Sequence, residues 1–119
     1  MAMEEIGAII RPQRIQRKRT KGWRMPPDTI YVGRPTIWGN HFKSEQAHDA
    51  GYENTRAMAV YAFRQFMMGD PIFCQGPADH EARRRILERV GELRGKNVAC
   101  WCALDQPCHG DVLLEIANP

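Results

Sequence analysis

Three of the four cysteines of the chain lie within nine residues of one another, in a segment that ends on a histidine. One residue separates Cys100 from Cys102, and Cys108 is adjacent to His109. Thiolate sulfur and imidazole nitrogen are ligands of zinc, which has no geometric preference of its own. Zinc is therefore a candidate cofactor on these four side chains, although paired zinc ligands usually stand two to four residues apart. The alternative is that the cysteines pack as small apolar side chains and that His109 alone faces a pocket.

The same segment also permits chemistry without a metal. Cys108 and His109 are predicted to begin a helix, where free backbone N–H groups attract anions and lower the pKa of a thiol. We therefore take Cys108 and His109 as the candidate catalytic pair, at a site for a phosphate group or a thiolate nucleophile. Cys102 and Asp111 are candidate ligand-binding residues, although the charge of Asp111 opposes an anion at this helix end.

A second polar segment, residues 33–42, follows a predicted strand. Arg34 could pair with a phosphate or carboxylate, Trp38 could stack on a base, and Asn40 could read a base edge. In the alternative interpretation Trp38 covers the edge of the core, and Gly39 with Asn40 forms a tight turn.

Positive charge is concentrated near the start of the chain. Residues 11–24 contain seven Lys or Arg and no acidic residue, so the rest of the chain has ten basic against fourteen acidic residues. Such a segment favours a local anionic partner, a nucleotide or a nucleic acid, over nonspecific association. The alternative is a solvated tail, which is the commoner outcome for charge runs as a class. The candidate nucleic-acid-binding residues are Arg14, Arg17, Lys18, Arg19, Lys21 and Trp23. A second basic run, at Arg83, Arg84, Arg85 and Arg89, is interpreted as a solvated helix face.

The elements that must position these side chains follow from periodicity and end signals. Residues 29–32 and 97–102 are predicted strands, parallel to each other, and residues 33–52 are a long loop with a short helical turn. Helices are predicted from 54 or 55 to 68, from 79 to 94, and from 108 or 109 to 117. The result is a small single-domain α/β fold over residues 14–119, with a short, mostly parallel sheet covered by about three helices. Residues 1–13 form a poorly patterned N-terminal segment.

The two polar segments are expected to meet. In open α/β sheets ligands bind beyond the carboxyl ends of the strands, and both segments leave from such ends. The chain has 119 residues, no apolar run of membrane-spanning length and no apparent secretory signal. We therefore expect a cytoplasmic protein that does not contact a membrane, with its thiols reduced.

Four segments resemble a domain-of-unknown-function family, number 4326, found in bacteria and their phages. They are residues 14–27, 31–40, 93–102 and 107–113, in this order. The resemblance implies a phage or prophage origin and implies that the basic stretch is part of the domain. The chain has His41 where the family usually has proline, and Ile37 where it usually has a basic residue. The family name implies no activity.

Three functions fit these observations. The first is a nucleotide-directed ligand pocket, in an enzyme acting on nucleotides or in a binding protein, with oligomeric state left open. The second is a nonenzymatic nucleic-acid-binding module stiffened by zinc. The third is a takeover factor that docks to a host protein.

Overall fold

Three short parallel strands form the sheet in the computed structural model, which describes residues 11–119. They are β1 (Arg14–Gln16), β2 (Thr29–Tyr31) and β3 (Asn97–Cys100), in the order β1-β3-β2. The register places Ile15 beside Ala99 and Ile30 beside Val98. Val98, Ala99 and Cys100 are buried, as expected for a central strand covered on both faces. The predicted parallel pairing of β2 and β3 is confirmed.

Four α-helices cover this sheet within residues 11–119. They are α1 (Ser44–Asp49), α2 (Thr55–Met67), α3 (Gly76–Arg89) and α4 (His109–Ala117), with a 3₁₀ turn at Val90–Leu93. The α/β prediction is confirmed, and the helical turn expected in the long loop is α1. No helix in the described part of the chain is long and apolar enough to cross a membrane.

The core lies between the sheet and helices α2 and α4. Phe63 and Phe66 of α2 and Leu113 of α4 are fully buried, and they pack in one cluster with Val32 and Val98. Helix α2 begins where the Asn54 side chain accepts a hydrogen bond from the backbone N–H of Ala57. The predicted bounds of α2 and α4 therefore agree with the structure to within about one residue.

Strand β1 is an element that the sequence did not predict. Its three residues have no apolar periodicity, and the pairing with β3 defines it: the N–H of Val98 donates to the carbonyl of Gln13, and that of Arg17 to the carbonyl of Cys100. The beginning of the basic stretch is thus part of the folded domain. Of the poorly patterned segment 1–13, residues 1–10 lie outside the described residues.

Helix α3 begins three residues before the predicted N-cap. Pro77 stands in its first turn, where the missing N–H has no cost, and the Asp79 carboxylate accepts from the backbone N–H of Gln75. The helix ends at Arg89, five residues earlier than predicted, and the chain continues as the 3₁₀ turn. Three of its four predicted surface arginines, Arg84, Arg85 and Arg89, are exposed and paired with glutamates, as the interpretation of a solvated face requires. Arg83 differs, because it is half-buried and its Nε donates to the Met67 carbonyl at 2.9 Å.

Candidate functional site

A cavity of about 330 Å³ lies where strands β2 and β3 end. The two polar segments predicted to meet both line it, because the carboxyl ends of parallel neighbours open on the same edge of the sheet. Helix α2 supplies a third wall. The lining residues are Tyr31, Gly33, Arg34, Asn40, Phe42, Ser44, Arg56, Ala59, Val60, Cys100, Trp101, Cys102, Pro107, Cys108 and His109.

The loop after β2 folds back in two successive turns that present Arg34 to the cavity. The N–H of Thr36 donates to the carbonyl of Gly33, and that of Gly39 to the carbonyl of Thr36. A Cβ at Gly39 would lie 3.1 Å from the backbone of Arg34, so the turn needs glycine there. The Tyr31 hydroxyl donates to the Arg34 carbonyl at 2.8 Å, and the Arg34–Pro35 peptide is cis. The Arg34 side chain remains exposed.

Trp38 does not line the cavity. It is 4% exposed and packs in the core cluster, so the alternative interpretation describes its position and base stacking does not. Asn40 lines the cavity but uses both ends of its amide: Nδ2 donates to the Ala59 carbonyl and Oδ1 accepts from the Phe42 N–H. Asn40 thereby fastens the loop to α2.

The two departures from the family pattern both lie away from the cavity wall. Ile37 packs against the core cluster. The His41 ring lies 4.7 Å from the ring of Phe66 and 4.1 Å from that of Phe42, and burial lowers its pKa. Neither position lines the cavity, so neither change alters its wall.

The sulfur atoms of Cys100, Cys102 and Cys108 form one group at the cavity floor. All three lie within 4.8 Å of one another, close enough to hold a metal ion, and those of Cys100 and Cys108 are 2.9 Å apart. The N–H of Cys102 donates to the Cys100 sulfur, and that of Gly110 to the Cys108 sulfur. His109 is outside this group, so the compact ligand set is three thiols rather than the four predicted ligands.

The His109 ring is held by its own contacts at the start of α4. Nε2 lies 2.8 Å from the Val32 carbonyl and must donate to it, because a carbonyl oxygen only accepts. Nδ1 is then an acceptor, 3.8 Å from the Cys108 sulfur. Burial lowers the pKa of His109, so the ring is neutral. Cys108 and His109 do approach each other, although their adjacency in sequence did not require it.

The three thiols differ in protonation and exposure. Hydrogen bonds from Cys100 and then Cys108 lower the pKa of Cys102, while the same network raises the pKa of Cys108. Cys108 is 1% exposed, whereas Cys102 is half-buried. A ligand in the cavity therefore meets Cys102 rather than Cys108, and this exposure, with the lowered pKa, favours Cys102 over the predicted Cys108 as a nucleophile.

Arg14 and Asp111 form part of the structure beneath the site and do not line the cavity. The Arg14 side chain is 8% exposed, and its Nε donates to Asp111 at 3.0 Å. The rest of its guanidinium donates to backbone carbonyls in the turn between two of the cysteines; these are the carbonyls of Cys102, Ala103, Leu104 and Gln106. A side chain so fully engaged is not available to phosphates, which removes Arg14 from the predicted nucleic-acid surface and Asp111 from the ligand-binding set.

The remaining basic candidates lie at or beyond the rim of the cavity. The Arg17 guanidinium is 4.7 Å from the Tyr31 ring centre and 4.9 Å from that of Trp101, and Arg19 is 4.4 Å from Trp101. Lys18 and Lys21 are exposed and Trp23 is half-buried. If the predicted strand 97–102 continued through its whole length, alternation would point Trp101 away from Cys100 and Cys102. Strand β3 ends at Cys100, however, so alternation no longer applies and Trp101 lines the same cavity as the thiols.

Arg56 is the charged lining residue that sequence reasoning missed. It stands in the first turn of α2 and acts electrostatically on the Cys102 sulfur. One arginine on a helix carries no signal for a site, because only the packing of α2 against the sheet brings it to the cavity. Ser44, at the start of α1, was missed for the same reason.

The fold and the site together define a small α/β domain with a cavity at the carboxyl edge of a parallel sheet. Three thiols form the floor of this cavity, and two arginines stand in its wall. The family model described as "Domain of unknown function (DUF4326)" matches residues 15–119. The chain belongs to this family. Comparisons with curated proteins and with solved structures gave no significant match.

Proposed function

We propose that this protein binds an anionic ligand of nucleotide size in the cavity beyond β2 and β3. The observation that carries the proposal is the charge of the wall: Arg34 and Arg56 line it, and no carboxylate stands among the lining residues. A concave wall that carries two arginines and no carboxylate favours a phosphate or carboxylate group.

The two arginines are free to bind such a group. Neither side chain forms a salt bridge or side-chain hydrogen bond with any residue between 11 and 119. A guanidinium presents five N–H donors in a planar fork that matches phosphate oxygens. Tyr31, Phe42 and Trp101 provide apolar area nearby, and 330 Å³ lies at the lower end of the range for small-molecule sites. A single nucleotide suits this size and this mixture of charge and aromatic wall.

In an enzymatic form of this proposal, Cys102 is the group that faces the ligand. Its thiolate is stabilised by hydrogen bonds from the neighbouring thiols and by the positive charge of Arg56. The same field that attracts an anionic ligand thus keeps the sulfur ionised.

Nucleotide binding is tested by calorimetric titration with nucleoside monophosphates and with the parent nucleosides. We expect the nucleotides to bind and the nucleosides to bind about tenfold more weakly or worse, since hydrogen bonds to charged groups contribute about 1.5–3 kcal/mol. Arg34→Ala and Arg56→Ala should each weaken nucleotide binding by about tenfold or more. Arg85→Ala, which removes an exposed arginine from α3, is the matched control and should change nothing. Equal affinity for nucleosides and nucleotides, or no binding of either, would refute the proposal.

A zinc site at the cavity floor is the second candidate, favoured by the proximity of the three sulfur atoms. Three cysteines would leave one of the four zinc positions for water or a ligand, as in catalytic zinc sites. When bound there, zinc would supply a Lewis acid next to the arginine-bearing wall.

Metal analysis tests this site on protein purified without a polyhistidine tag. We expect about one zinc per chain, retained in Cys74→Ala and lost in Cys102→Ser, because Cys74 is buried outside the group of three thiols. Chelation of the metal should also make Cys102 the first thiol to react with iodoacetamide. Protein that is metal-free as purified and does not take up added zinc would exclude the site.

A further inference from the structure

Two arginines outside the cavity are stacked on the aromatic residues of its rim. Arg17 lies over both Tyr31 and Trp101, and Arg19 lies over Trp101. Both rings line the cavity. The segment that follows β1 is therefore held against the cavity mouth, because Arg17 is also tied by its backbone N–H to the Cys100 carbonyl at the end of β3.

These cation–π contacts hold both guanidinium groups beside the aromatic rings. Within residues 11–119 neither side chain makes a salt bridge or a hydrogen bond. A guanidinium whose orientation is fixed by an aromatic ring loses less conformational entropy when it binds a phosphate in bidentate fashion. Arg17 and Arg19 are thus pre-organised for phosphate oxygens.

Positive charge that has no acidic partner among residues 11–119 continues outward from this rim. Residues 11–27 contain no acidic side chain, and Lys18, Lys21 and Arg24 are exposed. The arginines of α3 differ, because the glutamates of that helix and of the following turn neutralise Arg84, Arg85 and Arg89. The basic segment is therefore the side of the molecule that attracts a polyanion.

We infer that the ligand of the cavity is the end of a single-stranded nucleic acid. One terminal nucleotide, with its phosphate on Arg34 and Arg56, occupies the cavity, and the next phosphates lie on Arg17 and Arg19. This inference rests on the proposed function and names its substrate class. Four guanidiniums, two inside and two at the rim, exceed what a single phosphate can engage, and the aromatic rings beside them suit the unpaired bases of a single strand.

Titrations of the full chain with thymidine ligands test this inference. The ligands are thymidine monophosphate, thymidine triphosphate, and a pentathymidylate carrying a phosphate on its 5′ or its 3′ end. We expect the better pentathymidylate to bind about tenfold or more tightly than the monophosphate. The double variant Arg17→Ala/Arg19→Ala should remove this gain and leave monophosphate binding unchanged. It should also reduce the magnitude of the slope of log K against log salt concentration by about 0.7 for each lost phosphate contact.

Arg84→Ala/Arg85→Ala is the control, since it removes the same charge from helix α3 and should leave every affinity unchanged. Arg19→Ala alone, at an exposed side chain, keeps the test valid if the double variant unfolds, and should remove part of the gain. Monophosphate binding without any gain for the pentathymidylates overturns the inference and leaves the proposed function intact. The inference is also overturned if thymidine triphosphate binds as tightly as the pentathymidylates and loses this affinity in the same variants. The ligand is then a nucleoside polyphosphate. Oligonucleotide binding that does not respond to Arg34→Ala or Arg56→Ala refutes the proposed function as well.

Discussion

Replacing Arg14 with alanine is expected to lower the free energy of unfolding by about 3 kcal/mol. The Arg14 guanidinium is nearly buried and bonds one carboxylate and four backbone carbonyls. Its removal leaves Asp111 without its partner and the turn between Cys102 and Cys108 without the donors that hold it. For a domain whose total stability is about 5–15 kcal/mol, such a loss is large.

Urea unfolding followed by circular dichroism measures this effect. Arg14→Lys keeps the charge but has no planar fork to reach several carbonyls, so it should recover only a minor part of the loss. Lys18→Ala is the matched control, an exposed cation in the same segment, and should change stability by less than about 0.5 kcal/mol. Equal midpoints for Arg14→Ala and Lys18→Ala would show that the buried arginine contributes no more than a surface charge.

Replacing Phe63 with alanine is expected to have a similar or larger effect, about 3–5 kcal/mol. Phe63 is 0% exposed, and its ring packs against Phe66 and meets the His109 ring edge to face at 5.4 Å. The substitution removes apolar contacts and leaves a cavity between α2 and α4. It also removes the surface that fixes the His109 ring, so the site should loosen along with the core.

Thermal and urea unfolding of three variants isolate the packing contribution. Phe63→Leu refills most of the volume and should cost about a third as much as Phe63→Ala. Tyr61→Ala, on the same helix but 47% exposed, is the control and should have a much smaller effect. If Tyr61→Ala and Phe63→Ala are equally destabilising, α2 does not pack by the face described here.

Periodicity and end signals were enough to locate most of the elements. The spacing of Ala59, Phe63, Phe66 and Met67 marks a buried helix face, and these residues are buried on α2. Asn54 marks its start through a side-chain cap that any chain can form locally. Such features depend on residues that are close together in the chain. The meeting of the two polar segments was also predictable, because the carboxyl ends of parallel neighbouring strands lie at one edge of a sheet.

Long-range contacts decided the roles of individual side chains. Arg14 and Arg17 are three residues apart in one basic run, yet the first is buried under the site and the second stacks at its rim. The pairing of β1 with β3 produces this difference, and the run of like charges in the sequence does not predict it. Tertiary packing also decided between the two interpretations of Trp38, which lies in the core, whereas Trp101 lines the cavity.

The sequence by itself determined the α/β class, the parallel pairing of β2 and β3, and the meeting of two polar segments, because all three follow from local patterns and from the geometry of parallel strands. Only the tertiary structure decided that Cys102 is the most exposed of the three grouped thiols, that His109 stands outside this group, and that Arg56 joins the cavity wall. Protonation, burial and charge neighbours depend on atoms far apart in the chain, and these come together only when helices α2 and α4 pack against the sheet.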